Sequence, residues 1–541
     1  MATETIHTGV LIIGSGGAAS RAAYEAKLAE PDIDVLVATD GEWGGGGSTF
    51  WVASETLGIN APFNMAGDGD SPEVYLQDIL ETGLGLASAS LASRIAFEAC
   101  DRILELARLG VKFDSADGHF TQRKLSGCTK ARALSIGGRT GVDIGSALKR
   151  ASISKGVKVL EQTRLMDLIV EDGEVWGASG FRNGNQVSIF ADAVLLANGG
   201  AGAIFPHNIN HPSLRGDGYA MAYRAGAKLT NLEFYQIGPG VVFPPIPFII
   251  HSHMWRLSPR LRNAQGEEFL ENYLPEGTHK DEVLSLKAMS FPFSVRTAAK
   301  YVDISMSGEI AEGRGTVRGG LFFDVNHVPE KELREKAPIT YETFLKAGVD
   351  LCTQVIEIAP LVQNFNGGVR IDENGSTGVK GLYAAGEVSG GVHGADRPGG
   401  SNLTDCQVFG YRGGRAAAAF AAGRSGHSGK LLDKERKTDR TKADLAPIKA
   451  KIDKALMVIR DRGGLSDLLS EIETMRNSNP GLDIETETFL LVTEMLARSA
   501  LFREESRGSH YRQDFPQTRT EFSRPSLLFK GRAGDMECCL A

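Results

Sequence analysis

The feature that most constrains this chain lies at its start. Residues 8–13 (TGVLII) form a short apolar run, and Gly14-Ser15-Gly16-Gly17-Ala18-Ala19 follows at once. An alanine-rich stretch with helical spacing then runs up to Pro31, and a second apolar run, Asp34–Ala38, closes the unit. Strand, glycine turn, helix and strand at this spacing give G-x-G-x-x-[GA] its meaning as a dinucleotide-binding turn. Gly14 permits the tight turn, Gly16 lets backbone approach a pyrophosphate, and a small residue at Ala19 lets helix and strand pack closely. The pyrophosphate is expected at the helix N-terminus, beside Gly17 and Ala18 and against the helix's partial positive charge. One element departs from the pattern. An acidic residue usually ends the second strand and holds the ribose, but here Ala38 and Thr39 stand there with Asp40 just beyond. Thr39 is expected to take that contact weakly.

Composition sets the outer bounds. A chain of 541 residues is too long for one hydrophobic core, so more than one domain is expected. Glycine contributes 65 residues, well above the usual share of about 7%. The glycines cluster beside apolar runs, which favours ligand-cradling loops over disorder. A net charge of −8 argues against a nucleic-acid surface. No apolar run reaches the length of a membrane span, and the first residues carry no basic region of a secretory leader. The six cysteines show no CxxC spacing and read as free thiols in a reducing cytoplasm, with no role assigned to the Cys538-Cys539 pair. No metal site is expected, because His251-Ser-His253 has no carboxylate cluster beside it.

The organisation reads as α/β. Helical patterns cover about 72–110 and 142–155, and residues 157–196 alternate like a small antiparallel sheet that returns to a parallel strand at Ala193–Ala197. Residues 231–350 turn aromatic, proline-containing and then polar, as an inserted capping domain would. Glycine-rich α/β sequence resumes at 351–428, and 429–541 reads as a helical region with a loop-like tail. The expected fold is a Rossmann-like FAD-binding domain (1–230 and 351–428), an inserted α+β cap and a C-terminal helical region. FAD rather than NAD is indicated by two further strand ends, AVLLA before Asn198-Gly199-Gly200 and GLYAA before Gly386-Glu387.

These blocks carry a specific resemblance. ANGGAG, GLYAAGEVSGGVHGADRPGGSNLTDCQVFG, MAYRAGAKLTNLEFYQ and LARSALFREESRGSHYRQDFP are similar to motifs of the fumarate reductase, succinate dehydrogenase and L-aspartate oxidase flavoproteins. The resemblance implies that Glu387 accepts a hydrogen bond from FAD and that Ser401, Asn402 and Leu403 lie beside the isoalloxazine ring. It implies further cofactor contacts at Gly47, Ser48, Thr49, Gly199, Gly200 and Asp217. Respiratory members bind FAD covalently through a histidine after the serine. Here Thr49 stands there, as in L-aspartate oxidases, so FAD is expected to be held non-covalently.

The same resemblance breaks at the substrate. Arg397 keeps the arginine of the H-G-A-N-R motif, with His393 four residues before it, and this pair is the expected catalytic and anion-holding centre. The family's histidine after E-F-x-Q is replaced by Gly238, its proton-donating arginine by Phe293 with Arg296 three residues on, and its second histidine by Gln363. His251, His253, Trp255 and Arg256 cluster in the expected cap and, with Arg296, are candidate substrate contacts. A small anionic organic substrate other than fumarate or succinate is therefore expected, with an iron–sulfur electron-transfer partner and an oligomeric state left open. The adenylylsulfate reductase branch, acting on sulfur with such a partner, is an alternative. So is a flavin-binding electron-transfer subunit.

Overall fold

The computed structural model describes residues 4–51, 57–424 and 441–541, so the expected boundary at 428–429 lies outside the described residues. At the centre is a seven-stranded sheet. Its parallel part places the strand Glu4–Ile13 between Val35–Ala38 and Asn185–Leu196, with Lys158–Leu160 outside Val35–Ala38 and Leu382–Ala384 beside Asn185–Leu196. Val10–Ile13, Val35–Ala38 and Ala193–Leu196 are buried along their length, because helices or further strands cover both sheet faces. Register decides where chemistry can happen. Ile13 pairs with Ala38 on one side and Leu196 on the other, and Leu196 pairs with Ala384. Four strands therefore end level, and their exit loops begin at Thr39, Gly14, Ala197 and Ala385. Ligands of open α/β sheets bind at such carboxyl ends.

The helix Gly17–Ala29 packs against Ser401–Ala422 at very short range. A Cβ on Gly410 would come within 2.7 Å of the Ala18 carbonyl, and one on Gly414 within 2.4 Å of the Ala22 carbonyl. Small residues spaced by four on both helices allow this crossing, and it carries the 401–403 turn to the glycine fingerprint.

A second core gathers side chains from Val241 to Ile358. An antiparallel sheet of Tyr235–Phe243, Ile356–Phe365, Leu321–Asp324 and Arg260–Arg262 supports it. Its interior holds a fully buried ion pair, Lys287 Nζ to Asp303 at 2.5 Å. The helices Ala446–Ala455, Arg462–Ser478 and Ile484–Phe502 follow. The tail is not loop-like as expected. Ser526–Lys530 and Met536–Leu540 form a hairpin that extends a sheet through Leu229–Thr230. Its alternation is hidden in sequence by the charged and glycine residues of the turn at 531–535. Before it, Glu233, Arg503, Glu505 and Arg507 form a buried ion-pair network that fixes this segment to the first domain. Among the described residues no helix is long and apolar enough to cross a membrane.

Candidate functional site

The four level strand ends open into one cavity of about 950 Å³. Gly14, Gly16, Gly17, Ala18, Thr39, Gly47, Ser48, Thr49, Gly199, Asp217, Glu387, Asn402 and Leu403 line it. Gly14 has φ +116°, and a Cβ there would meet the Ala197 carbonyl at 2.3 Å, so only glycine permits this turn between two strand ends. The Gly17 N–H donates to Thr49 Oγ1 at 3.0 Å. The Thr39 hydroxyl pairs with the Ser15 hydroxyl at 2.8 Å. Asp217 is clamped by Arg164, whose Nε and Nη2 reach its two carboxylate oxygens at 2.9 and 3.0 Å. Glu387 is buried, with Oε1 accepting from the Phe365 N–H at 3.0 Å. Burial pushes its pKa up to about 7, although the Phe365 N–H and the charge of Arg397 oppose the shift. Asn198 also lines the cavity, and its buried Oδ1 has no partner among the described residues. A glycine-walled cradle at a helix N-terminus, with a buried carboxyl and an unmatched amide oxygen along it, fits a dinucleotide such as FAD.

Three expected cofactor residues stand one step back from the cavity. Ala19 is fully buried on the packed face of its helix. Gly200 lies behind the cavity wall, where its N–H supports the Glu387 carboxylate. Ser401 is fully buried because its hydroxyl is bonded to Tyr75 Oη at 2.9 Å and Asn60 Nδ2 at 3.2 Å. It braces the turn whose next two residues reach the cavity.

Of the two expected catalytic residues, Arg397 lines the cavity and His393 does not. The Arg397 Nη2 donates to Gln236 Oε1 at 2.8 Å, and Gln236 Nε2 donates to Asp396 Oδ1 at 3.1 Å. The Arg397 N–H also donates to Asp396 Oδ1, at 2.8 Å. The guanidinium is thus held in place while its buried Nε has no partner among the described residues. His393 is buried with Nε2 3.2 Å from Asp405 Oδ2. Burial lowers its pKa against the opposing pull of Asp405. It supports the loop from behind instead of facing the cavity.

The cap supplies His251, His253 and Arg256 to the lining, as expected of them, but not Trp255 or Arg296. Trp255 turns into the cap core, its indole N–H donating to the Ile250 carbonyl at 2.9 Å. Arg296 is exposed outside the cavity, though its charge acts on Asp396. Burial, reinforced by His253, pushes His251 down to about 3, so it is a neutral ring at neutral pH and not an anion clamp. The cap also explains Gly238. A side chain there would strike Phe291, whose ring a Cβ would meet at 2.7 Å. Phe291 in turn packs edge-on against His251, with ring centroids 4.8 Å apart. Phe293 is fully buried in the core, with its N–H donating to the Ile237 carbonyl at 2.8 Å. Sequence reasoning missed Gln236, Arg123, Lys124 and Lys336, all in the lining. Gln236 stands in a matched motif and could have been found. The other three sit on loops and a helix end that have no pattern of their own.

A family model described as "FAD binding domain" matches residues 9–403, and one described as "Fumarate reductase flavoprotein C-term" matches 473–537. A fumarate reductase (CoM/CoB) subunit from Methanothermobacter marburgensis is 36% identical, over 98% of this chain and 98% of its own. L-aspartate oxidase from Caulobacter vibrioides is 32% identical, over 97% and 96%. Among solved structures, the E. coli quinol fumarate reductase flavoprotein superposes with a TM-score of 0.84 at 25% identity, covering 100% of this chain and 97% of that one. Adenylylsulfate reductase from Archaeoglobus fulgidus reaches a TM-score of 0.72 at 18% identity over 99% and 96%, a likeness of fold alone. The fold and site define an FAD-dependent oxidoreductase. The chain belongs to the fumarate reductase, succinate dehydrogenase and L-aspartate oxidase flavoprotein family.

Proposed function

We propose that this chain transfers a hydride between non-covalently held FAD and a carbon of an anionic organic acid anchored by Arg397. One observation carries the reading: a guanidinium fixed by Gln236, with Nε uncommitted, lines the same cavity as the dinucleotide cradle. Bound FAD supplies the two-electron chemistry. Residues Gly14–Ala18, Glu387, Asn402 and Leu403 would hold it, and Thr49 offers a hydroxyl where a covalent link would need an imidazole. Arg397 stabilises negative charge on the acid, and the neutral His251 ring offers a hydrogen bond without adding charge. Phe291 and Met289, which line the same cavity, help to exclude water.

The missing family side chains at Gly238, Phe293 and Gln363 argue for an acid other than fumarate or succinate. That exclusion has no support from the comparisons, since a relative of 36% identity carries fumarate reductase in its name. Fumarate therefore belongs in the substrate panel on equal terms. Relatives named as subunits support a further reading, an electron-transfer partner protein such as an iron–sulfur protein. The six free cysteines are read as those of a cytoplasmic protein. The test is an anaerobic panel of fumarate, succinate, aspartate and larger organic acids against the yellow protein. Bleaching or reoxidation of the flavin by at least one acid, lost in Arg397→Ala, supports the reading. A flavin that exchanges electrons only with a protein partner and with no acid would overturn it.

A further inference from the structure

The cavity that Arg397 lines also has a region whose charged groups are all of one sign. The lining supplied by the loop 123–128 and by the cap contains Arg123, Lys124, Arg256 and Lys336 and, among the described residues, no carboxylate. A chain of contacts places these cations around one opening. Ser126 Oγ donates to the Met289 carbonyl at 3.2 Å and accepts from the Phe291 N–H at 3.0 Å, which ties the Arg123-Lys124 loop to the cap. Phe291 packs on His251, two residues from His253. His253 Nε2 lies 2.9 Å from Thr340 Oγ1, which sets the short helix before Arg256 beside the chain that carries Lys336. Lys336 is paired with Glu332 at 2.6 Å, whereas Arg123, Lys124 and Arg256 have no ion pair among the described residues. Leu57, Leu125, Ala288, Met289 and Pro292 also line this cavity.

Four cations beyond the anchor exceed what the charge of a short acid bound at Arg397 could use. Only Lys336 has a neutralising carboxylate, Glu332, so keeping Arg123, Lys124 and Arg256 in one mouth costs mutual repulsion that an anionic ligand relieves. We propose that this mouth is a second anion subsite. It takes the far end of an elongated acid, whose near carboxylate lies at Arg397, whose apolar middle passes the Leu125 and Met289 walls, and whose distal phosphate, phosphonate, sulfonate or carboxylate meets Lys124 and Arg256. This rests on the reading of Arg397 as the anchor of an acid.

The experiment titrates the FAD-loaded protein with 6-phosphonohexanoate, hexanoate and succinate, following the flavin absorbance. The phosphonate is expected to bind about tenfold tighter than both plain acids, since each partly exposed pair adds only a few-fold. Its advantage should shrink as salt rises. In the double variant Lys124→Ala/Arg256→Ala the ratio of phosphonate to hexanoate affinity should fall towards one, while Lys124→Arg/Arg256→Lys retains it. A phosphonate that binds no better than hexanoate overturns the subsite, as does a ratio that survives the double alanine variant in protein with full FAD content. Failure of the underlying reading looks different: none of the three acids then perturbs the flavin, or their binding ignores Arg397→Ala.

Discussion

The Thr49 hydroxyl accepts a hydrogen bond from the Gly17 N–H at 3.0 Å, joining the segment after Gly44–Gly47 to the first turn of the fingerprint helix. A side chain so placed lies in the cofactor cavity but has no nucleophilic nitrogen. Acid precipitation of the yellow protein should therefore leave the flavin in the supernatant. Flavin retained on the washed, denatured polypeptide would show that another residue makes a covalent link.

Arg397 and Gln236 form the second testable relationship. Removing one charged partner of a buried pair costs about 2–5 kcal/mol. Arg397→Ala should lower kcat/KM for the acid substrate about a hundredfold or more, each factor of ten being about 1.4 kcal/mol. FAD content should stay near normal. Loss of FAD from the variant, or full turnover without the guanidinium, would assign the arginine a structural role.

Glu387 predicts a pH dependence. Its folded pKa, about 7, lies above the ordinary value of 4.5, so the folded apoprotein binds the extra proton. The stability this contributes is fully present below pH 4.5 and is lost as pH rises through 7. A hydroxyl of FAD donating to the carboxylate reverses the preference, because it favours the charged form. FAD binding at about pH 6, below the folded pKa, should release a proton, so affinity should rise with pH up to that pKa and level off above it. Calorimetry in buffers of different ionisation enthalpy measures this. Glu387→Gln should abolish the proton release, and an unchanged release in that variant would move its origin elsewhere.

The cap depends on Lys287 and Asp303, both fully buried. Asp303→Ala leaves the ammonium without its partner and should destabilise the cap by about 3–5 kcal/mol. The paired replacement Lys287→Met/Asp303→Leu should recover most of that loss in thermal denaturation. Equal losses in the single and double variants would show that the ion pair contributes through packing alone.

The sequence by itself determined the glycine turn Gly14–Ala19, because that turn is written in contiguous residues and needs only its own strand and helix. Thr49, Glu387 and Asn402 are legible only through the family resemblance. Tertiary structure decided what lay between such patterns. Arg397 and His393 stand four residues apart, yet one faces the cavity, held by Gln236 on a strand, and the other turns back to Asp405 on the neighbouring helix. Trp255 and Arg256 are adjacent, but the first fills the cap core and the second reaches the mouth, as successive residues at a helix end point apart. The loss of a family histidine at Gly238 reads in sequence as missing chemistry, whereas in the fold Phe291 occupies its space. Arg123, Lys124 and Lys336 share no motif, and only closure of the cap over the sheet brings them to one opening. Charge acts through space, and neighbourhood in space is what a linear pattern does not encode.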